Sequence, residues 1–128
     1  GSAGEILASG YITSGYSDER LKENIEVIPD ALDKLMQIRG VTYTNNETAE
    51  QYGFTSKNKQ VGVLAQEVEK VIPEVVAHAP FDRNLSPTGT EISRSGEYYK
   101  TVYYERLVPL LIEAIKELKD EIEILKNK

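Results

Sequence analysis

Residues 15–28 read GYSDERLKENIEVI and bring a hydroxyl, a carboxylate, a guanidinium and an amine close together in the chain, at Ser17, Asp18, Arg20 and Lys22. A serine hydroxyl is a weak nucleophile until a base takes its proton. Lysine serves as that base only as the neutral amine, a form favoured by burial or by a neighbouring cation. Serine and lysine five residues apart are common, so the spacing alone leaves two readings open. In one, Asp18 caps a solvated turn and Lys22 lies in water. In the other, a serine and an amine are placed to act on their own backbone. Arg20 is equally divided: its fixed charge can disfavour the ammonium form of Lys22, or it can pair with Asp18.

Other chemistries are restricted by composition. The 128 residues include no Cys, which excludes disulfide scaffolds, thiolate zinc sites and cysteine nucleophiles. The lone His78, with Asp82 downstream, argues against a His-based metal site or a Ser-His-Asp triad and for a surface or packing role. With 21 acidic and 15 basic residues the net charge is -6, against a general nucleic-acid binder. No apolar run approaches the ~20 residues that span a bilayer, and no signal peptide opens the chain. Gly1-Ser2 reads as a cloning scar.

The elements that must position these groups are short. Residues 5–16, EILASGYITSGY, read as a strand or extended arm, too poor in apolar surface to form a domain. NIEVI reads as extended and is stopped by Pro29. Asp30 is a good N-cap for a helix over about 30–39, whose face carries Leu32, Leu35, Met36 and Ile38, with Gly40 as its C′ residue. VTYT and VGVLA read as strands. AQEVEKVI reads as a helix with Val68, Val71 and Ile72 inward, stopped by Pro73, and EVVAHA as a further strand. Two polar stretches, 45–60 and 80–97, read as long loops or hairpins, which in so small a domain are often functional. YYKTVYY alternates like a strand.

From Tyr104 the pattern becomes a long helix over 104–126, with Pro109 tolerable only near its start. Val108, Leu111, Ile115, Leu118, Ile122 and Leu125 are spaced 3, 4, 3, 4 and 3, a heptad seam flanked by KELKDE charges. Self-association is the expected use, and packing on the domain's own core is the alternative. β-Branched residues at a with Leu at d favour two strands in isolated coiled coils.

Four blocks in order, SDERLKENI, ALDKLMQIRGVTY, VGVLAQEVEKVIPEVV and YYERLVPLLIEAIKELKDEIEIL, carry a family resemblance. Over residues 17–126 the chain resembles the C-terminal intramolecular chaperone domain of phage tailspikes, tail fibres and neck appendages, best known from endosialidase tailspikes and related to a domain of the myelin regulatory factor. The resemblance implies a homotrimer that aligns three chains, lets an upstream β shaft of the same chain fold, and releases itself by cutting near its Ser-Asp motif. It implies no cofactor and no metal, and the charge and apolar pattern above add no nucleic acid and no membrane as partners. It also implies action in the host cytoplasm during phage assembly, or on the virion tail if the domain is not released. Residues 1–16 become a stub of the fibre or shaft, and 17–128 the chaperone domain with 104–126 as its oligomerising helix.

The resemblance carries the nucleophile onto Ser17 and the base onto Lys22, in a serine-lysine dyad of single turnover. Geometry restricts the bond. Attack by Ser17 on the carbonyl of Tyr16 passes through a five-membered ring, whereas attack on its own carbonyl needs a strained four-membered one. The family is often described as cut at Ser-Asp, so Tyr16–Ser17 and Ser17–Asp18 both stay open. An oxyanion hole is required and the sequence does not identify it. On the loops, Tyr52, Phe54, Phe81 and Leu85 either hold the emerging shaft or pack each loop on its own domain. Two other readings are a non-cleaving trimerisation module kept on the fibre, and an oligomerisation domain of a DNA-binding regulator. The expected architecture is α+β: short strands, two short helices, protruding loops or hairpins, and a long C-terminal helix in a trimeric bundle or coiled coil.

Overall fold

The structure is a computed structural model and describes residues 14–128. The strand or arm expected over residues 5–16 lies, up to residue 13, outside the described residues. After a 3-10 turn at Glu19–Leu21 the order is α1 (Ala31–Leu35), β1 (Val41–Tyr43), α2 (Glu47–Gln51), β2 (Gln60–Gly62), α3 (Ala65–Val71), β3 (Val76–His78), β4 (Arg83–Leu85), β5 (Glu91–Ser93), β6 (Lys100–Val102) and α4 (Leu107–Lys126). The strands form three separate antiparallel pairs, β1 with β2, β3 with β6 and β4 with β5. Val41 stands opposite Gly62, Val76 opposite Val102 and Arg83 opposite Ser93. The α+β class with a long C-terminal helix is as expected.

One core holds the elements together. Ala31 of α1, Val68 and Ile72 of and after α3, Val75, and Leu110 and Ala114 of α4 are buried. Ile28, Leu32, Leu35, Ile38, Val63 and Val102 close its margin. Alanine at positions 31 and 114 leaves room for α1 and α4 to approach closely. Gly62 has a similar reason: a Cβ there would stand 2.6 Å from the Tyr104 hydroxyl, which accepts from the Val63 N–H at 3.2 Å.

The first helix corrects the sequence reading. It ends at Leu35 and not near 39, and Met36 is exposed. Asp30 is no side-chain cap, because its backbone sits in the left-handed region at φ 51°. The cap comes from far along the chain: the two carboxylate oxygens of Glu117 accept from the N–H groups of Ala31 and Leu32, each at 2.9 Å. Gly40 is not the helix C′ residue, since the chain has already left the helix through turns at Gln37 and Ile38.

The polar stretch 45–60 contains a third short helix, where only two were expected. The Asn46 side chain accepts from the Ala49 N–H at 2.9 Å and starts α2. Gly53 at φ 96° ends it, and the Phe54 N–H returns to the Ala49 carbonyl, the wrapped C-terminal motif that glycine permits.

Helix α4 begins at Leu107, led in by a 3-10 turn at Tyr104–Arg106, so Pro109 falls in the first turn, where its missing N–H has no helical partner to lose. The helix presents two apolar faces. Leu110 and Ala114, 0% and 1% exposed, look into the core. Val108, Leu111, Ile115, Leu118, Ile122 and Leu125 lie about a quarter-turn away and are 42–66% exposed. The alternative that the seam packs on the chain's own core therefore does not hold. From Leu118 onward every residue of the helix is exposed.

The Glu117 cap has a pH signature. The Leu32 and Ala31 N–H groups hold its carboxyl below its ordinary 4.5. A folded value below the unfolded one means stability that is present above about pH 4.5 and lost as pH falls through the lowered value. Glu117→Gln is expected to lower the thermal midpoint at neutral pH and to flatten the acid side of the stability curve, measured by circular dichroism melts across pH. An unchanged acid side would remove the cap from the account.

Candidate functional site

The Ser17 turn is assembled from local hydrogen bonds. The Asp18 carboxylate accepts from the Arg20 backbone N–H at 2.9 Å and caps the single 3-10 turn. The Leu21 N–H returns to the Asp18 carbonyl and the Lys22 N–H to the Glu19 carbonyl. This reversal brings the Lys22 Nζ to 3.1 Å from the Ser17 Oγ. Capping by Asp18 and a serine-lysine contact thus occur in the same turn, with Lys22 still exposed.

Arg20 takes the second of its two roles. Its Nε and Nη2 donate to the two Asp18 oxygens at 3.1 and 2.8 Å, a forked pair. The side-chain and backbone bonds from Arg20 hold Asp18 below the usual carboxylate range, and Asp18 in turn raises Arg20. Immediately upstream, the Ser14 hydroxyl donates to the Tyr16 carbonyl at 3.2 Å. Ser14, Tyr16, Ser17, Asp18, Arg20 and Lys22 are all exposed in the single chain.

A second polar cluster lies under the hairpin of β4 and β5, and the sequence reading gave it only in part. Asp82, 1% exposed, accepts from the Ser93 hydroxyl at 2.7 Å, the Ser95 N–H at 2.8 Å and the Tyr99 N–H at 3.1 Å. His78 Nε2 lies 3.2 Å from the same carboxylate, and its Nδ1 is 3.5 Å from Glu91. Burial pushes the Asp82 carboxyl up, but the bonds from Ser93, Ser95 and His78 outweigh it and hold it well below the usual range. Serine, histidine and aspartate therefore meet, yet in the wrong order for nucleophilic catalysis. Ser93 donates to the carboxylate and not to the imidazole, so the ring has no proton of Ser93 to take. The cluster is a knot that holds the loop, including Tyr98 at φ 54°, which stacks near His78. The signal was the Ser93-x-Ser95-Gly96 turn after a lone Asp, and it is weak in a region full of Ser and Thr.

The two polar stretches meet each other. Phe81 lies 5.1 Å from both Tyr52 and Phe54, and Tyr99 lies 5.5 Å from Tyr52, centroid to centroid. Three of the four apolar residues picked out on the loops thus pack together, while Leu85 stays exposed at the end of β4. Beside the rings an open cleft of about 1500 Å³ is also lined by Tyr43, Arg94 and Lys100.

Comparison with known proteins agrees with the resemblance. Residues 17–77 match the family described as the chaperone of endosialidase. The long tail fibre protein Gp37 of Enterobacteria phage K3 is 34% identical over 112 residues, 88% of this chain and 8% of that protein. The Gp37 of Enterobacteria phage M1 is 30% identical over 122 residues, 93% of this chain and 43% of the relative. That of Salmonella phage S16 is 29% identical over 112 residues, 87% of this chain and 14% of the relative. The chain thus spans less than half the length of these relatives.

The Asp82 knot can be checked separately from any chemistry at Ser17. Asp82→Asn is expected to speed hydrogen exchange at the Ser95 and Tyr99 amides and to expose 86–97 to proteases. Amides of α4 next to Leu110 should keep their protection. Unchanged exchange in the loop would mean that the aromatic rings alone hold it.

Proposed function

We propose that this chain, a relative of the endosialidase chaperones over residues 17–77, is a folding clamp at the end of a phage tail fibre, and that it detaches by cutting itself beside Ser17. Three copies join through α4. The observation that carries this reading is the exposed seam from Val108 to Leu125, on a helix whose last nine residues are all exposed in the single chain. A helical end of so few residues is marginal in water without packing, and a contiguous exposed apolar stripe marks an association surface. The seam's own chemistry leans to two strands, so the body of the domain selects three.

The client is the fibre segment joined on the N-terminal side, to which residues 1–16 belong, with 17–128 as the clamp. Long β shafts pair strands between chains, fold slowly and leave edges open meanwhile. Joining three chains at one end raises their effective concentration and starts them in register. Once the shaft has interlocked, slow unfolding keeps it folded without the clamp. The clamp acts in the host cytoplasm during assembly, or stays on the virion tail where release fails.

In the cutting step Lys22, as the neutral amine, takes the Ser17 Oγ proton. The oxygen then attacks the Tyr16 carbonyl through the five-membered ring. The C–N bond breaks, the Ser17 nitrogen leaves with the proton that Lys22 returns, and water hydrolyses the resulting ester. The 3.1 Å Lys22–Ser17 distance supports this assignment. Lys22 is exposed in the single chain, and burial is what favours a neutral amine. Leu21, Ile25 and Val27 beside it are exposed too, so neighbouring copies that cover them also dry the amine. The same exposure favours a second reading, a clamp that assembles and never cuts.

Intact and native mass of the chain, refolded from denaturant and sampled over time, separate these readings. Wild type is expected to form a trimer and release a fragment, with masses that distinguish Tyr16–Ser17 from Ser17–Asp18. Ser17→Ala and Lys22→Met should form the trimer and stay whole. An uncut wild-type trimer supports the retained clamp and sinks the cleavage; a monomer sinks both.

The seam and the core should also respond differently to substitution on the same helix. Leu110→Ala is expected to destabilise each chain by about 2–5 kcal/mol in urea titrations, as for other buried leucines. Leu118→Asp should leave the single-chain circular dichroism intact, give a monomer by native mass, and stop cutting. A Leu118→Asp monomer that cuts at the wild-type rate would separate cleavage from assembly.

A further inference from the structure

Resting on that cleavage reading, we propose that the Ser14 hydroxyl is the donor that polarises the Tyr16 carbonyl during self-cleavage. Of the carbonyls next to Ser17, only that of Tyr16 can be reached by the Ser17 oxygen through an unstrained five-membered ring. It is also the carbonyl that receives a side-chain hydrogen bond, from the Ser14 Oγ at 3.2 Å. A donor on the oxygen and a nucleophile that approaches the carbon are the two halves of an acyl-transfer site. Lys22 stands on the nucleophile, and Ser14 stands on the electrophile.

The chemistry balances without any further group. As the Ser17 oxygen bonds to the Tyr16 carbon, the carbonyl electron pair moves onto the Tyr16 oxygen, which becomes negative. The Ser14 hydroxyl then donates to an anion in place of a neutral carbonyl, and a charge-assisted bond is about twice as strong as a neutral one. The bond strengthens as the charge develops, which is the condition for acceleration and not merely for binding. Collapse of the anion expels the Ser17 nitrogen, with the proton returned by Lys22, and Ser14 keeps its own proton throughout.

The assignment also bears on the choice of bond. A donor on the Tyr16 oxygen assists cutting before Ser17 and does nothing for the Ser17–Asp18 bond. Ser14 and Ser17 thus act on the same peptide unit from its two sides. Asp18 and Arg20, the ion pair of the turn, are occupied with each other.

The test uses the 128-residue chain refolded from denaturant, with release of residues 1–16 followed by mass. Removing one donor from a buried oxyanion site costs ~100-fold or more, and an exposed hydroxyl is expected to contribute less, so Ser14→Ala should slow release by about tenfold or more. Ser14→Thr keeps the hydroxyl and should restore release to within about threefold of wild type, whereas Ser14→Val, of the same shape without it, should stay slow. The pH at which cutting is half-maximal should not move, because Lys22 and not Ser14 exchanges the proton. Equal rates for the Thr and Val variants would overturn the assignment while leaving self-cleavage in place, as would fragments ending at Ser17. A wild-type chain that never releases residues 1–16 would overturn the cleavage reading and this inference together.

Discussion

The rest of the fold depends on the carboxylate of Glu117 at the start of α1. A five-residue helix has no stability of its own, and its first N–H groups have no helical acceptors. Glu117 supplies both oxygens to Ala31 and Leu32 from a position 85 and 86 residues away. The same helix turns place Leu110 and Ala114 on the core side. Rotation of α4 about its axis is therefore set by a capping bond and two apolar side chains acting together. Once it is set, the heptad positions have only one direction left to face. The exposed seam is a consequence of how the single chain satisfies its own backbone.

The Ser17 turn, by contrast, needs almost nothing from that core. Its bonds run between residues no more than five apart. Its tether is the extended segment that reaches the core margin at Ile28. A turn built this way can form early and in isolation, but it cannot dry an amine. Whatever chemistry it carries is gated by what settles against Leu21, Ile25 and Val27. On the proposed reading this division suits a device meant to act late: geometry is supplied locally, and the low-dielectric wall would be supplied by assembly.

Much of the architecture was legible in residue patterns. The heptad spacing located α4, and Pro109 and Pro73 marked where helices begin and stop. Val68 and Ile72 went inward as their spacing required. What failed did so for tertiary reasons. Asp30 has the chemistry of an N-cap, but its left-handed backbone turns it away and a residue from α4 takes the place. Helix α2 was missed although both signals were present, Asn46 before it and Gly53 after it, because the polar composition between them reads as loop. The Asp82 knot was legible only at His78 and Asp82, because two of its partners are backbone N–H groups, which every sequence contains, and Ser93 is one serine among many. At the candidate site the residue types pointed to a turn in which Lys22 lies 3.1 Å from Ser17. They could not show that capping by Asp18 and the approach of Lys22 to Ser17 occur together in it.

The two apolar faces of α4 share no residues. Leu110 and Ala114 are buried within the chain that carries them, and the seam is exposed on it. In the proposed clamp, changes at Ile115, Leu118 or Ile122 would alter which chains recognise one another while sparing the buried Leu110 and Ala114. Kinship and stability are written on different sides of one helix. On that reading, related chains made in the same cell would diverge in choice of companion by drift along a single stripe, each still folding as before.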